Sequence, residues 1–396
     1  MISFVVAVAS GDVARFFVEV GAVLLILAGL ARIARRTGFS PIPLYLLAGL
    51  VIGATAPREI SPDVVAIETQ VAVILLLFML GLEYTGAELA GSLRAGLPAG
   101  LVDGALNFTP GVVCGLLLGW NALECLLLGG VTYISSSSII AKVLDDLDRL
   151  GNRETPAILS VLVIEDLAMA PYLPLVTVLI IGGGFAAGAL SAGLAMAAVT
   201  AAVYVALRHG RRVSRGISHT SDEVVLLTVC GLLLLAGGLG EALQISAAVV
   251  AFLIGLMISG SLAARARQLL GPLRDLFAAF FFVLFGLQVD IGGVTSVLGV
   301  AVALWGVTAL TKFFTGWYAA AGSGCSVRGR VRAGTALIAR GEFSIVIAGL
   351  GLAAGTESAL GPLAAAYVLI TAVSGPLLTR YANNLARLFA RGQEPR

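Results

Sequence analysis

Ser160-Val-Leu-Val-Ile-Glu-Asp-Leu-Ala-Met-Ala-Pro-Tyr-Leu-Pro174 sets two adjacent carboxylates, Glu165 and Asp166, in the middle of an apolar run from Pro156 to Ile181. The run is long enough to cross a bilayer, which takes about 20 apolar residues as a helix. A charged side chain at the bilayer centre costs at least about 2.5–3.5 kcal/mol, so such groups face protein or a water-filled cavity. Two together point to an ion site. Neighbours i and i+1 lie about 100° apart around a helix, so one carboxylate binds the ion while the other is held elsewhere. The bland alternative is a helix cap or a structural salt bridge within a bundle.

Composition extends this reading to the whole chain. The 396 residues are 59% hydrophobic and 12% charged, with a mean hydropathy of +1.01; soluble domains average about 25% charged residues. The chain reads as an all-α polytopic membrane protein. Its first eleven residues lack the basic region and small-residue cleavage site of a signal peptide, so no processing is expected there. Cys114, Cys125, Cys230 and Cys325 are scattered without metal-ligand spacing and imply neither a zinc site nor a disulfide framework. His209 and His219, the only histidines, fall in a basic loop, where a solvated role is expected. No Ser-His-acid triad, metal cluster, phosphate loop or nucleotide fold can be assembled, so no catalytic residue or cofactor is expected, and no nucleic-acid partner.

Counting apolar runs gives thirteen expected transmembrane helices, at 13–34, 41–56, 64–83, 97–119, 122–143, 155–182, 183–207, 222–241, 245–260, 274–290, 293–321, 331–353 and 358–383. Loops after odd-numbered spans, with the C-terminal tail, carry 21 of the 25 basic residues. The excess of Lys and Arg on cytoplasmic loops therefore puts the N-terminus outside the cell membrane and the C-terminus in the cytoplasm. Lys312 and Arg340 lie inside spans, where a cation needs a partner or water.

Transporters often carry inverted internal repeats. Leu75-Leu-Leu-Phe-Met-Leu-Gly-Leu-Glu83 is similar to Phe280-Phe-Phe-Val-Leu-Phe-Gly-Leu-Gln288, 205 residues downstream, and Tyr45–Gly53 is similar to Ala251–Ser259 at nearly the same offset. The partners are seven spans apart and cross in opposite directions. Spans 2–6 and 9–13 are thus expected to form two inverted five-helix repeats. The same offset carries the polar run Ser135-Ser-Ser-Ser138 onto Arg340-Gly-Glu-Phe343. Both are polar interruptions at mid-span, suited to crossed broken helices that turn amides and carbonyls toward an ion cavity.

The midplane inventory is Glu165, Asp166, Lys312, Arg340 and Glu342 with the hydroxyls of Thr132, Ser135, Ser136, Ser137 and Ser138. Alkali cations take oxygen ligands, and a carboxylate that holds either a cation or a proton makes the two compete for one group. Asp166 fits that role as the ligand of a monovalent cation, with Glu165 beside it. Lys312 either pairs with Glu165 while the cation is absent or snorkels to the interface. Arg340 and Glu342 complete the charge balance.

At these residues the chain resembles the monovalent cation:proton antiporter-2 family, the group of Kef-type potassium/proton antiporters and bacterial sodium/proton exchangers. The resemblance is carried in order by Pro41–Gly53, Leu77–Glu83, Ser135–Lys142, Val163–Leu167, Phe281–Asp290 and Ala339–Ser344. It implies a sodium/proton antiporter-like fold, a homodimer, and an ion-carrying core that moves against a dimerisation panel as an elevator. The essential aspartate of that family falls on Asp166, and Lys312 falls on the lysine that pairs with the acidic residues in sodium exchangers. Asp103 is implied as an acidic residue of the cytoplasmic funnel. Glu165 stands where Kef-type proteins often carry glutamine, which leaves potassium and sodium both open.

The resulting division is 1–96 panel, 97–182 core, 183–221 linker helix and cytoplasmic loop, 222–292 panel, 293–383 core and 384–396 short tail. The expected function is potassium/proton antiport, with sodium/proton antiport as the alternative. For regulation two readings stand: a separate cytoplasmic regulatory subunit docking on the arginine-rich face, or a constitutively active transporter. From other classes, a cation channel would conduct without proton coupling, and a sensor or scaffold would bind partners without ion flux.

Overall fold

The computed structural model describes residues 10–37, 40–55, 62–83, 86–182, 184–194, 196–197, 200–201, 204, 208, 220–242, 247–258, 260–289, 291–356 and 359–390. Among these the regular structure is entirely helical. In chain order the helices are α1 Ser10–Thr37, α2 Ile42–Thr55, α3 Pro62–Glu83, α4 Gly86–Leu117, α5 Ala122–Tyr133, α6 Ser137–Asp146 and α7 Thr155–Ile180. They continue with α8 Phe185–Leu194, α9 Asp222–Ala242, α10 Ala247–Met257, α11 Ser261–Gln288, α12 Ile291–Gly322, α13 Val327–Ala336, α14 Glu342–Ala353, α15 Leu360–Arg380 and α16 Ala382–Ala390. His209, His219 and the last six residues lie outside the described residues.

Among the described residues, six helical segments are long and apolar enough to cross a membrane: Gly96–Leu117, Thr155–Ile180, Asp222–Gly240, Ser261–Gln288, Gly292–Gly322 and Leu360–Arg380. Several helices outrun the apolar segments that announced them. α4 begins eleven residues before its expected span and α11 thirteen before. Main-chain hydrogen bonding is indifferent to side-chain polarity, so a helix continues past its apolar part.

The chain near the site is shaped by breaks and caps. Asn121 and Glu124 form a reciprocal capping box that fixes the start of α5. Proline interrupts α4 at Pro98 and Pro110 and α7 at Pro171 and Pro174, and each removes a main-chain hydrogen bond and favours a kink.

Among the described residues, two large hydrophobic clusters and smaller satellites hold the bundle. One gathers Phe78, Val229, Ala251 and Ala266 from α3, α9, α10 and α11. The larger one gathers Leu127, Val161, Ile347 and Tyr367 from α5, α7, α14 and α15, with α2 and α12 contributing. α2 packs on α11 and α3 packs on α10. Each contact is made by facing glycines: a Cβ on Gly49 would strike the Val283 carbonyl and lie 2.9 Å from Gly286 Cα, and one on Gly81 would strike the Phe252 carbonyl and lie 3.0 Å from Gly255 Cα. α4, α5 and α7 pack together, as do α12, α13 and α15, and α4 meets α12 directly.

Candidate ion-binding site

The site forms where two helices stop and restart. α5 ends at Tyr133, Ile134 is extended (φ −78°, ψ 128°), and α6 starts after Ser136, whose Oγ accepts from Ile139 N at 3.3 Å. α13 ends at Ala336, and α14 starts at Glu342 behind Gly341. The breaks cross: Ser136 N donates to Ala339 O at 2.9 Å. A Cβ on Gly341 would stand 2.5 Å from Ser136 Oγ and 2.8 Å from its Cβ, so the crossing needs glycine for closeness alone.

Arg340, fully buried, serves the carbonyl ends of both broken helices. Its Nε and Nη2 donate to Thr132 O at 3.1 and 2.9 Å, and Nη1 donates to Leu337 O and Ile338 O at 3.0 and 3.1 Å. A helix C-terminus carries unsatisfied carbonyls and partial negative charge; one guanidinium meets two of them. Ser344 Oγ adds a bond to Val131 O at 2.8 Å. Glu342 opens α14, where a carboxylate suits the positive end of the helix dipole, and its Oε2 accepts from Ser136 Oγ at 2.8 Å.

α7 delivers the two carboxylates to this crossing. Asp166, 2% exposed, accepts from Ser137 Oγ at 3.2 Å, at the N-terminus of α6. Glu165, fully buried, turns the other way. It accepts from Ser135 N, its Oε1 lies 3.1 Å from Ser135 Oγ, and Lys312 Nζ donates to Oε1 at 2.8 Å. Lys312 also donates to both oxygens of Asp103, at 2.7 and 2.8 Å, and its ammonium lies 5.5 Å from the Tyr133 ring centroid. All three charged side chains of this cluster are wholly enclosed. Such burial is tolerable only with good geometry and further hydrogen bonds. Asn107 supplies one, donating to Asp103 Oδ1 at 2.9 Å, while Thr311 Oγ1 donates to Asn107 Oδ1 at 2.7 Å.

Of the expected residues, the structure brings Glu165, Asp166, Ser135, Ser136, Ser137, Lys312, Arg340 and Glu342 to one crossing. The side chain of Ser138 lies outside the described residues. Thr132 serves differently from an ion-facing hydroxyl: its Oγ1 donates to the backbone, 2.8 Å from Asn107 O and 3.1 Å from Gly129 O, and its carbonyl receives Arg340. Asp103 does not line a funnel. It has no exposed surface, because the buried Lys312 needs a counter-charge and α4 packs on α12 there. Sequence reading missed Asn107, Tyr133 and Thr311. The available signal was periodic: Asp103 and Asn107 are i,i+4, as are Thr308 and Lys312, and Thr311 and Thr315, so each pair shares one face of an apolar helix.

A cavity of about 560 Å3 approaches the crossing. Its wall includes exposed Arg35 and Asp275, then Arg274, Lys142 and Tyr45, and buried Glu342.

Residues 22–383 match the family described as sodium/hydrogen exchanger, transmembrane. The chain is 34% identical over 381 residues to the K(+)/H(+) antiporter subunit KhtU of Bacillus subtilis, covering 93% of this chain and 94% of that protein. It is 31% identical over 379 residues to the ammonium/H(+) antiporter subunit AmhT of Alkalihalophilus pseudofirmus, with 93% and 94% covered. Among solved structures, the sodium proton antiporter MjNhaP1 from Methanocaldococcus jannaschii matches 95% of this chain and 99% of its own with a TM-score of 0.70 at 15% identity, a likeness of fold.

Proposed function

This chain belongs to the sodium/hydrogen exchanger family, and we propose that it exchanges potassium for protons across the cell membrane. Family and relatives are transporters rather than enzymes; the exchanged ions are the substrates and no cofactor is needed. The observation that carries the reading is the division of labour on α7: Glu165 is tied to Lys312 and Ser135, while Asp166 faces Ser137 at the crossing. Asp166 holds either the dehydrating cation or a proton. Ser135, Ser136 and Ser137 supply neutral oxygens around it. Glu165 and Lys312 keep their charges matched through the cycle, and Arg340 holds the helix ends in place.

Thirteen crossings result when α5 with α6, and α13 with α14, each count as one interrupted span and the nine-residue α16 is not counted as a crossing. An inverted repeat relating 42–180 to 247–380 is supported by the exchanged packing, because the Gly49–Gly286 contact becomes the Gly255–Gly81 contact when the halves swap. α4–α7 and α12–α15 form the moving core, and α1–α3 with α9–α11 form the panel through which two copies associate. The arginine-bearing ends face the cytoplasm, with the N-terminus outside. A separate regulatory subunit docks on that face, a reading supported by two relatives described as subunits. Sodium is the second reading for the cation, favoured by the Lys312–Glu165 pair.

Purified protein in liposomes with an internal pH dye tests this. Potassium, sodium, lithium and choline are added in turn with the potential clamped. Proton flux that depends on potassium and disappears in Asp166→Asn is expected. Equal flux in parent and variant, or cation flux without protons, would reject Asp166 antiport; a stronger response to sodium would replace the cation. Pull-down from native membranes without a stoichiometric soluble partner would remove the subunit.

A further inference from the structure

We infer that Asn107 is a positioning residue of the exchange reaction: its carboxamide fixes the Asp103 carboxylate on Lys312, and so sets how the lysine's charge is shared with Glu165, the neighbour of the binding aspartate. The inference rests on the antiport reading, with Asp166 as the ion ligand. Asn107 is fully buried on α4, which packs on α12. Its amide nitrogen donates to Asp103 Oδ1 at 2.9 Å, with Asp103 O at 3.1 Å and Thr315 Oγ1 at 3.2 Å, and its Oδ1 accepts from Thr311 Oγ1 at 2.7 Å. Turned over, the carboxamide would set an oxygen against the carboxylate, so only one orientation fits. The main chain is tied separately, Asn107 O accepting from Thr132 Oγ1 at 2.8 Å. A change of side chain therefore leaves the link to the broken helix in place.

The donors around the lysine say what the amide does. An ammonium has three N–H groups and no acceptor; Lys312 directs its donors to Asp103 at 2.7 and 2.8 Å and to Glu165 at 2.8 Å. Two carboxylates thus share one ammonium in a site with no exposed surface, where each needs further hydrogen bonds. Glu165 takes them from Ser135 N and Oγ. Among the described residues, the Asp103 carboxylate takes its one from Asn107. Without that donor the carboxylate is free to turn, the two-oxygen contact with Lys312 loosens, and the ammonium shifts toward Glu165. Glu165 is then more fully neutralised, and the crossing attracts a cation less. The two halves of the chain converge on this point. The 205-residue offset pairs Asn107 with Lys312, Gly111 with Gly316 and Leu128 with Ala333. A Cβ on Gly111 would strike the Leu128 carbonyl, and one on Gly316 would stand 2.5 Å from the Ala333 carbonyl. α4 therefore meets α5 as α12 meets α13, and corresponding positions on α4 and α12 bring an amide and an ammonium to the same aspartate.

The test uses the full chain in liposomes and compares parent, Asn107→Leu, Asn107→Asp, and Asn107→Asp combined with Asp103→Asn, for cation-dependent proton flux over a range of potassium or sodium. Asn107→Leu is expected to raise the apparent cation KM roughly tenfold, the worth of one hydrogen bond to a charged group, with maximal rate within about threefold. Asn107→Asp alone sets a third carboxylate beside one ammonium and should lose most of the maximal rate. The combined variant returns one carboxylate and one amide to the same two positions and should recover about half of that loss or more, a coupling that a packing role would not produce. A parental KM in Asn107→Leu overturns the inference and leaves antiport at Asp166 intact. So does an Asn107→Asp variant at the parental rate, or a combined variant no faster than Asn107→Asp. If the leucine variant alone fails to fold, by gel filtration in detergent, the combined variant decides; if all three fail, Asn107 is structural and the inference falls. A parent without cation-dependent proton flux removes it together with the antiport reading.

Discussion

At the scale of single residues, burial sorts the ion pairs by consequence. Lys142 and Asp146 meet at 3.0 Å with about a third of each side chain exposed, 35% and 33%, and exposed pairs contribute at most about 1 kcal/mol. Lys312 meets Asp103 and Glu165 with no exposure at all. Removing one member of a buried pair strands the other charge and costs about 3–5 kcal/mol. Lys312→Met is therefore expected to lower the thermal midpoint in detergent sharply, Lys142→Ala to leave it unchanged, and Asp103→Asn combined with Lys312→Met to recover part of the loss. A double variant no more stable than Lys312→Met would show that Asp103 is not the lysine's main counter-charge. Glu165, Asp166 and Lys312 were legible in the sequence because a charge inside an apolar run costs so much that it needs a reason. The Asp103–Lys312 pair was not. Its members are 209 residues apart, and which helices carry them together is a tertiary fact. The resemblance put Asp103 in a funnel, and packing put it in the bundle.

At the scale of elements, the two interruptions were readable because four serines and an Arg-Gly-Glu triplet are poor continuations of a lipid-facing helix. What they do to each other was hidden. Arg340 lies two residues from Glu342, yet its guanidinium bridges the carbonyl ends of α5 and α13, and Glu342 accepts from Ser136 Oγ. A planar fork with five donors can meet carbonyls on two helices at once, which a lysine ammonium on its flexible stem does less well. Hydrogen bonds to a charged group contribute about 1.5–3 kcal/mol each. Arg340→Gln is expected to lose several of these at once, dropping the thermal midpoint and abolishing exchange. Arg340→Lys should keep the charge and recover part of the stability with slower exchange. Paired melting curves and flux measurements check this; a lysine variant as impaired as the glutamine variant would mean that geometry alone matters. Helix boundaries were the least legible feature, since hydropathy marks where a helix meets lipid and the main chain continues beyond, as in α4 and α11.

At the scale of the molecule, the 205-residue offset pairs α2 with α10 and α3 with α11 in sequence, whereas in space α2 packs on α11 and α3 on α10. Those contacts are glycine on backbone, too close to slide without separating. The helices around the crossing have their own ties at their arginine-bearing end: Arg149 donates to Thr379 O at 2.7 Å, and Arg332 reaches Glu154 at 3.2 Å and Asn383 at 2.8 Å. These join the α6–α7 loop to the ends of α13, α15 and α16. The cavity lies between the two groups, with α2 and α11 on one wall and Lys142 and Glu342 on the other. If one group moves against the other during exchange, the cavity is where their separation changes. A flexible bismaleimide joining cysteines placed at Tyr45 and Lys142, in a background freed of the four native cysteines, should then arrest proton-coupled flux and release it when a cleavable linker is cut. The same reagent joining Arg153→Cys to Asn383→Cys, both beside the ties made by Arg332, should leave flux near the uncrosslinked level. Arrest by both crosslinks would point to rearrangement inside the core, and arrest by neither would leave ion access to local motion of the broken helices.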